Sequence, residues 1–502
     1  MSRYLPVAAA AALAVVLSGA PAFAQDFRAL ARQDLQRAHD ELAANHPAAV
    51  VSGPASASFS AWIDTGLRDA MSKVNSVNSG DSYGYLMRYY AAGFHDSNIS
   101  MPTTFAGMGP YFASSWPGFT TGWRDGHYVV SYVRPGLRGA PAIGSIVTEC
   151  NGTPIEAYAR TKLDRWEGDL DTEAGRITSA PYLLWNRNNP FTGGVPTTCK
   201  FQSGRGRPRD IEVKPQPFDD ASLEAAYRAT VYMPPATPLA VETVNGRPWI
   251  HVHTFADTTD ADKAAWSAFN QAVETQAEAI RGPQGFVLDL RAASGRGLNS
   301  STQRGYGLAN RIWTPEYTVS RQPSASELTY RATQGNRDWY AAALGRMEAD
   351  PYFVQESTPV IEETRAIVAA FDAAIAAGQS TFSLPGRAVA ADTGAPNPVQ
   401  GPIVVLVDAG CSGGCLDTLD LLTKLPNVRI VGTTTATDSI FIDQTQMRLP
   451  SNYADLNYGH KAWISRTRTN NQPFIPAQGL VYTGNPADET AVRTWVASLF
   501  GG

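Results

Sequence analysis

Residues 405–415 read Val-Leu-Val-Asp-Ala-Gly-Cys-Ser-Gly-Gly-Cys, and a helix-like stretch over 416–425 follows them. A short apolar run that ends in a glycine-containing turn before a helix is typical of a buried strand in an α/β sheet. The pattern places Ser412 at the start of a helix and at the carboxyl end of a strand. A hydroxyl there, beside backbone N–H groups that can hold an oxyanion, suits acyl transfer. A serine at this position also caps helices, so both roles stay open.

A second strand end lies upstream, where the apolar stretch 285–290 runs into the loop 291–297. Gly295 in this loop lets the backbone approach a ligand closely. Arg291 follows the apolar strand directly, and an unpaired charge there would be costly. We therefore expect Arg291 to pair with a nearby carboxylate.

The second half of the chain alternates strands with helices. A strand at 249–253 and a helix over 260–280 precede the two strand ends. This alternation predicts a layered α/β core over residues 217–502. Helices over 322–398 interrupt the alternation, so we assign that range to an insertion.

The first half of the chain is predicted to contain a helical region followed by a β-rich region. Apolar residues recur at near-helical spacing from Asp26 to Tyr90, which predicts an N-terminal helical cap over residues 25–112. Around Phe119 the period changes to two, and short strands are expected over the β-rich residues 113–216. Asp125 and Gly126 stand between two such strands and predict a hairpin turn.

The composition excludes several classes of protein. The chain has 502 residues, of which 43% are hydrophobic and 17% charged. These values exclude a coiled coil, a collagen and a disordered chain, and the length favours two or three domains. The formal net charge is -5, with no basic run, so neither nucleic acid nor an anionic membrane is an expected partner.

Residues 1–24 resemble a secretory signal peptide. Arg3 precedes an apolar run from Leu5 to Leu17, and Ala22-Phe23-Ala24 supplies small residues at the expected cleavage site. The run is too short for a membrane anchor. We therefore expect a periplasmic or secreted protein without a membrane anchor.

Four cysteines follow the signal peptide, and an exported protein can oxidise them. Three pairings are possible; the sequence favours Cys150 with Cys199 and Cys411 with Cys415, because the second pair is one helical turn apart. Buried reduced cysteines are the alternative. No ligand-like cluster accompanies the cysteines, and we expect His251 and His253, which alternate along one strand, to be structural. Neither a metal nor a cofactor is predicted.

Taken in order along the chain, these pieces resemble the C-terminal-processing, or tail-specific, serine peptidase family. The resemblance covers most of the mature chain. Gly93 to Asn98 resembles the family's Asp-Gly-His segment, and Asp289 to Gly295 resembles its Asp-Leu-Arg-Gly-Asn-Gly-Gly loop. Residues 139–154 resemble the end of a PDZ-like unit, and residues 431–435 resemble the Gly-x-x-Thr strand that follows the nucleophile.

The resemblance implies a fold and a set of roles. The fold would be a crotonase-like layered α/β core with an N-terminal helical cap, and residues 113–216 would form the PDZ-like domain. Ser412 would be the nucleophile, and the amides of Gly413 and Gly295 would hold the oxyanion. The substrate would be a polypeptide, and no cofactor would be needed.

The usual proton acceptors of the family are missing. The dyad lysine is absent from residues 436–439, Asn98 occupies the expected histidine position, and Asn470-Asn471 lies near the expected glutamate. The remaining candidate bases are His95, His127, Asp438 and the pair His460-Lys461, with His95 ranked first. The absence of any functional base stays open as well.

The sequence therefore predicts an exported serine-type peptidase that cleaves polypeptides through an acyl-enzyme on Ser412. The alternative is a non-catalytic peptide- or ligand-binding protein on the same scaffold. A third possibility is an esterase, which would use the same serine with a different pocket. The oligomeric state is not predicted.

Overall fold

The computed structural model describes residues 26–105, 109–295, 299–323, 327–351, 354, 358–386, 390–464 and 466–501. The expected signal peptide, residues 1–24, lies outside them. Among the residues described, no helix is both long enough and apolar enough to cross a membrane.

Three N-terminal helices form one packed layer. They are α1 (Phe27–Asn45), α2 (Ala57–Lys73) and α3 (Gly80–Ala92). Ser79 and Ser82 form a reciprocal capping box at the start of α3, which satisfies N–H groups that the helix itself leaves unpaired. The apolar faces of the helices share one core with Phe441 and Tyr458, so the helical layer is packed onto the C-terminal strands.

An antiparallel β-rich unit follows. Its strands are β1 (Ser115–Trp116), β2 (Phe119–Arg124), β3 (His127–Val133), β4 (Ile146–Cys150), β5 (Thr153–Pro154), β6 (Thr198–Gln202), β7 (Arg209–Glu212) and β8 (Gln216–Pro217). Its helices are α4 (Ile155–Leu163), α5 (Glu173–Ser179) and α6 (Asp220–Arg228). The predicted hairpin is confirmed: Asp125 and Gly126 join β2 to β3 with positive φ angles of 48° and 75°. The prediction that short strands dominate this range did not include α4, which buries Ala159 and Leu163 at helical spacing.

The remaining elements build the core. In chain order they are β9 (Leu239–Val244), β10 (Arg247–Val252), α7 (Asp260–Thr275), α8 (Ala277–Arg281), β11 (Phe286–Asp289), α9 (Asn299–Trp313), α10 (Pro315–Thr318), β12 (Glu327–Arg331), α11 (Gln334–Ala349), α12 (Thr358–Ala376), β13 (Thr381–Pro385), β14 (Ile403–Val407), α13 (Gly414–Leu422), β15 (Val428–Gly432), β16 (Phe441–Arg448), β17 (Asp455–Ala462) and α14 (Glu489–Ser498).

The central sheet has the strand order β15-β14-β11-β10-β9. Its first four strands are parallel, and β9 is an antiparallel edge. Leu288 and Val405 pack on one face with residues of α7, α9 and α13, whereas Val287 and Val404 pack on the other face with α14. Strands buried on both faces explain the continuous apolar runs of the sequence. The predicted α/β class is confirmed.

A second, antiparallel sheet has the order β13-β12-β17-β16. The range 322–398, expected to be a helical insertion, also supplies β12 and β13, and β12 pairs with β17 at Tyr330 and Lys461. The insertion therefore shares a sheet with the C-terminal strands. This sheet brings Lys461 and Asp443 toward the end of the central sheet where Ser412 lies, because all three line one cavity.

Candidate active site

Ser412 lies between the carboxyl end of β14 and the start of α13, as the sequence predicts. Its N–H donates to the carbonyl of Ala293 at 3.0 Å, and its carbonyl accepts from Cys415 at 3.2 Å. Its hydroxyl makes no hydrogen bond to any residue that the structure describes. The hydroxyl therefore does not cap α13, and the capping alternative is wrong for this serine.

The predicted oxyanion glycines are in direct contact. Gly413 has φ 57° and ψ -119°, a conformation that L side chains rarely adopt. A Cβ at this position would lie 2.3 Å from the carbonyl oxygen of Gly295. Within the described chain, the N–H groups of Gly413 and Gly295 have no hydrogen-bond partner. Both donors are therefore free to meet a ligand oxygen.

Buried acidic residues hold the two loops in place. Asp408 accepts from the N–H groups of Ala292 at 2.7 Å and Gly410 at 2.9 Å, and burial raises the pKa of Asp408 to about 6. Arg291 pairs with Asp289 at 2.6 Å, as expected from its position after an apolar strand. Burial disfavours the charge of Asp289, but Arg291 outweighs this effect and holds the pKa of that carboxyl well below its usual range. The loop that carries Gly295 is thereby held by Asp408 through Ala292 and by Asp289 through Arg291.

Ser412, Gly413 and Gly295 line a cavity of about 450 Å³. Its charged lining residues are Asp417, Asp438, Asp443, Lys461 and Arg466. Three of these are carboxylates and two are cations, so charged groups of both signs surround the cavity.

The cavity's acidic groups belong to ion-pair clusters. Asp438 contacts Arg466 at 2.8 Å and also Arg468. Asp417 accepts from Arg468 at 3.1 Å and from the hydroxyl of Thr302 at 2.6 Å. Burial raises the pKa of Asp417 to about 6 and also raises that of Asp438. Asp438, one of the candidate bases, thus lines the cavity but is held by two arginines.

Lys461 is the cavity's lysine, and it is also paired. Its Nζ lies 3.0 Å from the carboxylate of Asp443. Burial opposes the charge of Lys461, but Asp443 outweighs this and raises the pKa of the lysine. A serine–lysine dyad needs a neutral lysine, so this pairing argues against Lys461 as the base.

The structure describes all seven histidines, and none of them lines the Ser412 cavity. His95, the first-ranked base, faces the β-rich unit, where its Nδ1 lies 2.9 Å from Asp169. His127 is exposed at the start of β3. His460 is buried against Trp339, and burial lowers its pKa to about 4. The geometry therefore gives no support to a histidine base for Ser412.

Asn98 does line the cavity, at the position where the family resemblance expects histidine. Its amide donates to the carbonyl of Phe441 at 2.8 Å and accepts from Gln444 at 3.2 Å. Asn471, near the expected glutamate, donates to the carbonyl of His95 at 2.5 Å. The side-chain amides of Asn98 and Asn471 therefore link separate segments of the chain by hydrogen bonds. Neither can act as the base, because an amide cannot take a proton from a hydroxyl.

Comparisons with known proteins support the fold. No family model matches the sequence, and no curated protein is similar to it. The crystal structure of mature CPAF matches with a TM-score of 0.58 at 14% identity, over 95% of this chain and 96% of that chain. Mature CPAF complexed with lactacystin gives 0.57 at 14% identity, over 95% and 97%. The chain therefore has the same overall fold as mature CPAF.

A weaker match is the photosystem II D1 C-terminal processing protease. That match has a TM-score of 0.32 at 12% identity, over 90% of this chain and 92% of the protease.

Sequence reasoning missed several residues of the cavity, among them Asp417, Thr302 and Arg466. Asp417 carried a local signal, since it lies one turn into the helix that Ser412 precedes. Arg466 comes from a segment after β17, and no local pattern connects it to Ser412. Pairings between distant segments leave no periodicity in the sequence.

His251, His253 and Asp289 bring one ligand atom each within 4.8 Å of one another. His251 contacts Glu242 at 2.8 Å, and His253 contacts the carbonyl of Arg291 at 2.8 Å. The carboxylate of Asp289 already binds the Arg291 guanidinium, whose charge opposes a metal ion at the same place. These contacts fit the structural role that the sequence predicts for the two histidines.

Proposed function

We propose that the chain is an exported serine-type peptidase of the tail-specific type, which cleaves polypeptides through an acyl-enzyme on Ser412. The observation that carries this proposal is the Ser412 hydroxyl at the start of a helix, beside the amides of Gly413 and Gly295; none of these three groups has a hydrogen-bond partner among the described residues. The fold that the chain shares with mature CPAF supports it.

The chemistry follows from acyl transfer. The Ser412 oxygen bonds to the carbonyl carbon of the scissile peptide, and the amides of Gly413 and Gly295 stabilise the negative oxygen. The hydroxyl proton passes to a base and then to the leaving amine, and water later releases the acyl group. We assign the proton to Asp417, which lines the cavity with Ser412. Its contacts with Arg468 at 3.1 Å and Arg466 at 3.5 Å are longer than those that the same arginines make with Asp438. The pKa of Asp417, raised to about 6 by burial, makes it a stronger base than a solvated carboxylate.

The resemblance to exported family members also suggests the compartment in which the protein acts. Residues 1–24 would direct export, and both cysteine pairs form disulfides, which persist in oxidising compartments. The mature chain would act in the periplasm or outside the cell.

A second candidate function is polypeptide binding without turnover, and one observation favours it. Asn98 lines the cavity and uses its amide in two hydrogen bonds, so the position that could hold a histidine is filled by a structural residue. The same cleft would then hold a peptide without cleaving it.

Labelling with a serine-directed peptidyl phosphonate separates the two functions. A peptidase should be labelled on Ser412, and Ser412→Ala should lose both labelling and peptide hydrolysis. Ser97→Ala is the matched control, because Ser97 lines the same cavity. Labelling of wild type and Ser412→Ala to the same extent would exclude Ser412 as nucleophile. Peptide binding without labelling would select the non-catalytic function.

A further inference from the structure

The disulfide between Cys411 and Cys415 encloses Ser412. The bond closes a ring over a sequence separation of 4, with the two Cα atoms 5.4 Å apart. Both cysteines are fully buried in the core beneath the central sheet's helices. Ser412, Gly413 and Gly414 are the three residues inside the ring.

The two ends of this ring are attached to different parts of the fold. Cys411 belongs to the strand side: its N–H donates to the backbone carbonyl of Asp408 at 3.0 Å, and its own carbonyl accepts from the N–H of Ala436 at 3.2 Å. Cys415 belongs to the first turn of α13. The disulfide therefore ties the end of β14 to the start of the helix, across the residue proposed as nucleophile.

Inside the ring, the described contact that ties the backbone to the Gly295 loop is the hydrogen bond from the Ser412 N–H to the Ala293 carbonyl at 3.0 Å. Two consecutive glycines, Gly413 and Gly414, have the largest backbone freedom of any residue pair. The start of α13 has no side-chain cap, and the Ser412 hydroxyl makes no hydrogen bond within the described chain. Without the disulfide, the hydrogen bond from the Ser412 N–H and the packing of Gly413 on the Gly295 carbonyl would be left to hold the helix start in register with Gly295.

We propose that the Cys411–Cys415 disulfide is a positioning element, which holds the Ser412 hydroxyl and the Gly413 amide in register with Gly295. The inference rests on the proposed function only where the reactivity of Ser412 is concerned. The second disulfide behaves differently: Cys150 and Cys199 are paired residues of β4 and β6, separated by 49 in sequence. Closing a long loop restricts the unfolded chain far more than closing a short one, so the Cys150 bridge serves overall stability.

The test compares two double variants of the mature chain, Cys411→Ala/Cys415→Ala and Cys150→Ala/Cys199→Ala. Hydrogen–deuterium exchange is measured over residues 409–418, together with thermal unfolding and the rate of phosphonate labelling. In the first variant, exchange of the hydrogen-bonded amides of Ser412, residue 415 and Leu416 should rise about tenfold or more, because the local restraint is lost. Labelling should slow by about tenfold or more, since small displacements of a nucleophile are costly.

The second variant should unfold at a lower temperature while its exchange over 409–418 and its labelling rate stay at the wild-type values. Unchanged exchange in the first variant would overturn the proposal. Failure of the first variant to fold would also overturn it, because the bridge would then support the fold as a whole. If wild type is not labelled, the proposed peptidase function fails, and the exchange measurement still decides the role of the disulfide.

Discussion

The carbonyl oxygen of Gly295 lies 2.3 Å from the position that a Cβ on Gly413 would occupy. This contact joins the loop after β11 to the turn after β14, and it leaves no space for a side chain. Since Gly413 also has a positive φ of 57°, two independent constraints select glycine here.

Gly413→Ala should therefore damage both the fold and the site. A positive φ and an overlapping Cβ together are expected to lower the free energy of unfolding by about 2–4 kcal/mol, measured by urea denaturation. Phosphonate labelling of Ser412 should be lost even where the variant is folded. Gly345→Ala in α11 is the control, because open space surrounds that position; it should raise stability by about 0.5–1 kcal/mol. Normal labelling of Gly413→Ala would contradict the assigned oxyanion site.

Asn98→His tests whether a second proton acceptor in the cavity raises the reactivity of Ser412. The new ring can keep the donor contact to the Phe441 carbonyl, and its second nitrogen would supply a proton acceptor in the Ser412 cavity. We expect labelling and peptide hydrolysis to increase by about tenfold or more. His95→Ala should leave both unchanged, because His95 faces Asp169. Loss of labelling in His95→Ala would restore His95 as the base.

Asp417→Asn should lower the rate of labelling, because Asp417 is the proposed proton acceptor. In the wild type, labelling should fall as the pH drops below about 6, where the raised pKa of Asp417 keeps the carboxyl protonated. The variant should lose this pH dependence. Asp420→Asn is the matched control: Asp420 also pairs with Arg468 but does not line the cavity. Equal rates for the two variants at neutral pH would exclude Asp417.

Asp408→Asn should change how stability depends on pH. Burial raises the pKa of Asp408 from 3.8 to about 6, so the folded state binds more protons than the unfolded state between these values. Wild-type stability should therefore fall as the pH rises through this window, by about 3 kcal/mol for a shift of about two units. The asparagine keeps the acceptor for Ala292 and Gly410 and stays neutral. In urea unfolding, the free energy of unfolding of the variant should rise relative to that of the wild type from about pH 4 to about pH 8. If the free energies of the two proteins change with pH in parallel, the raised pKa of Asp408 is refuted.

Local patterns predicted the parts of the molecule that local chemistry controls. Asp125 and Gly126 form the expected hairpin because only residues that tolerate positive φ fit that turn. Residues 405–415 show their strand, turn and helix because an apolar run and a glycine turn each have one low-energy arrangement in a buried sheet. The disulfide pairs were predictable for a related reason, since spacing and compartment restrict them.

The surroundings of Ser412 depended on contacts between distant segments. The amino-acid sequence determines the strand that ends at Val407, the turn and the position of Ser412, because these follow from neighbours within about ten residues. Only the tertiary structure decided that Asn98 lines the cavity, that His95 turns to Asp169, and that β12 joins β17 to bring Lys461 close. Such pairings depend on burial and ion pairing between residues that are hundreds of positions apart in the sequence. They leave no hydrophobic periodicity, helix-cap pattern or turn pattern from which they could be predicted.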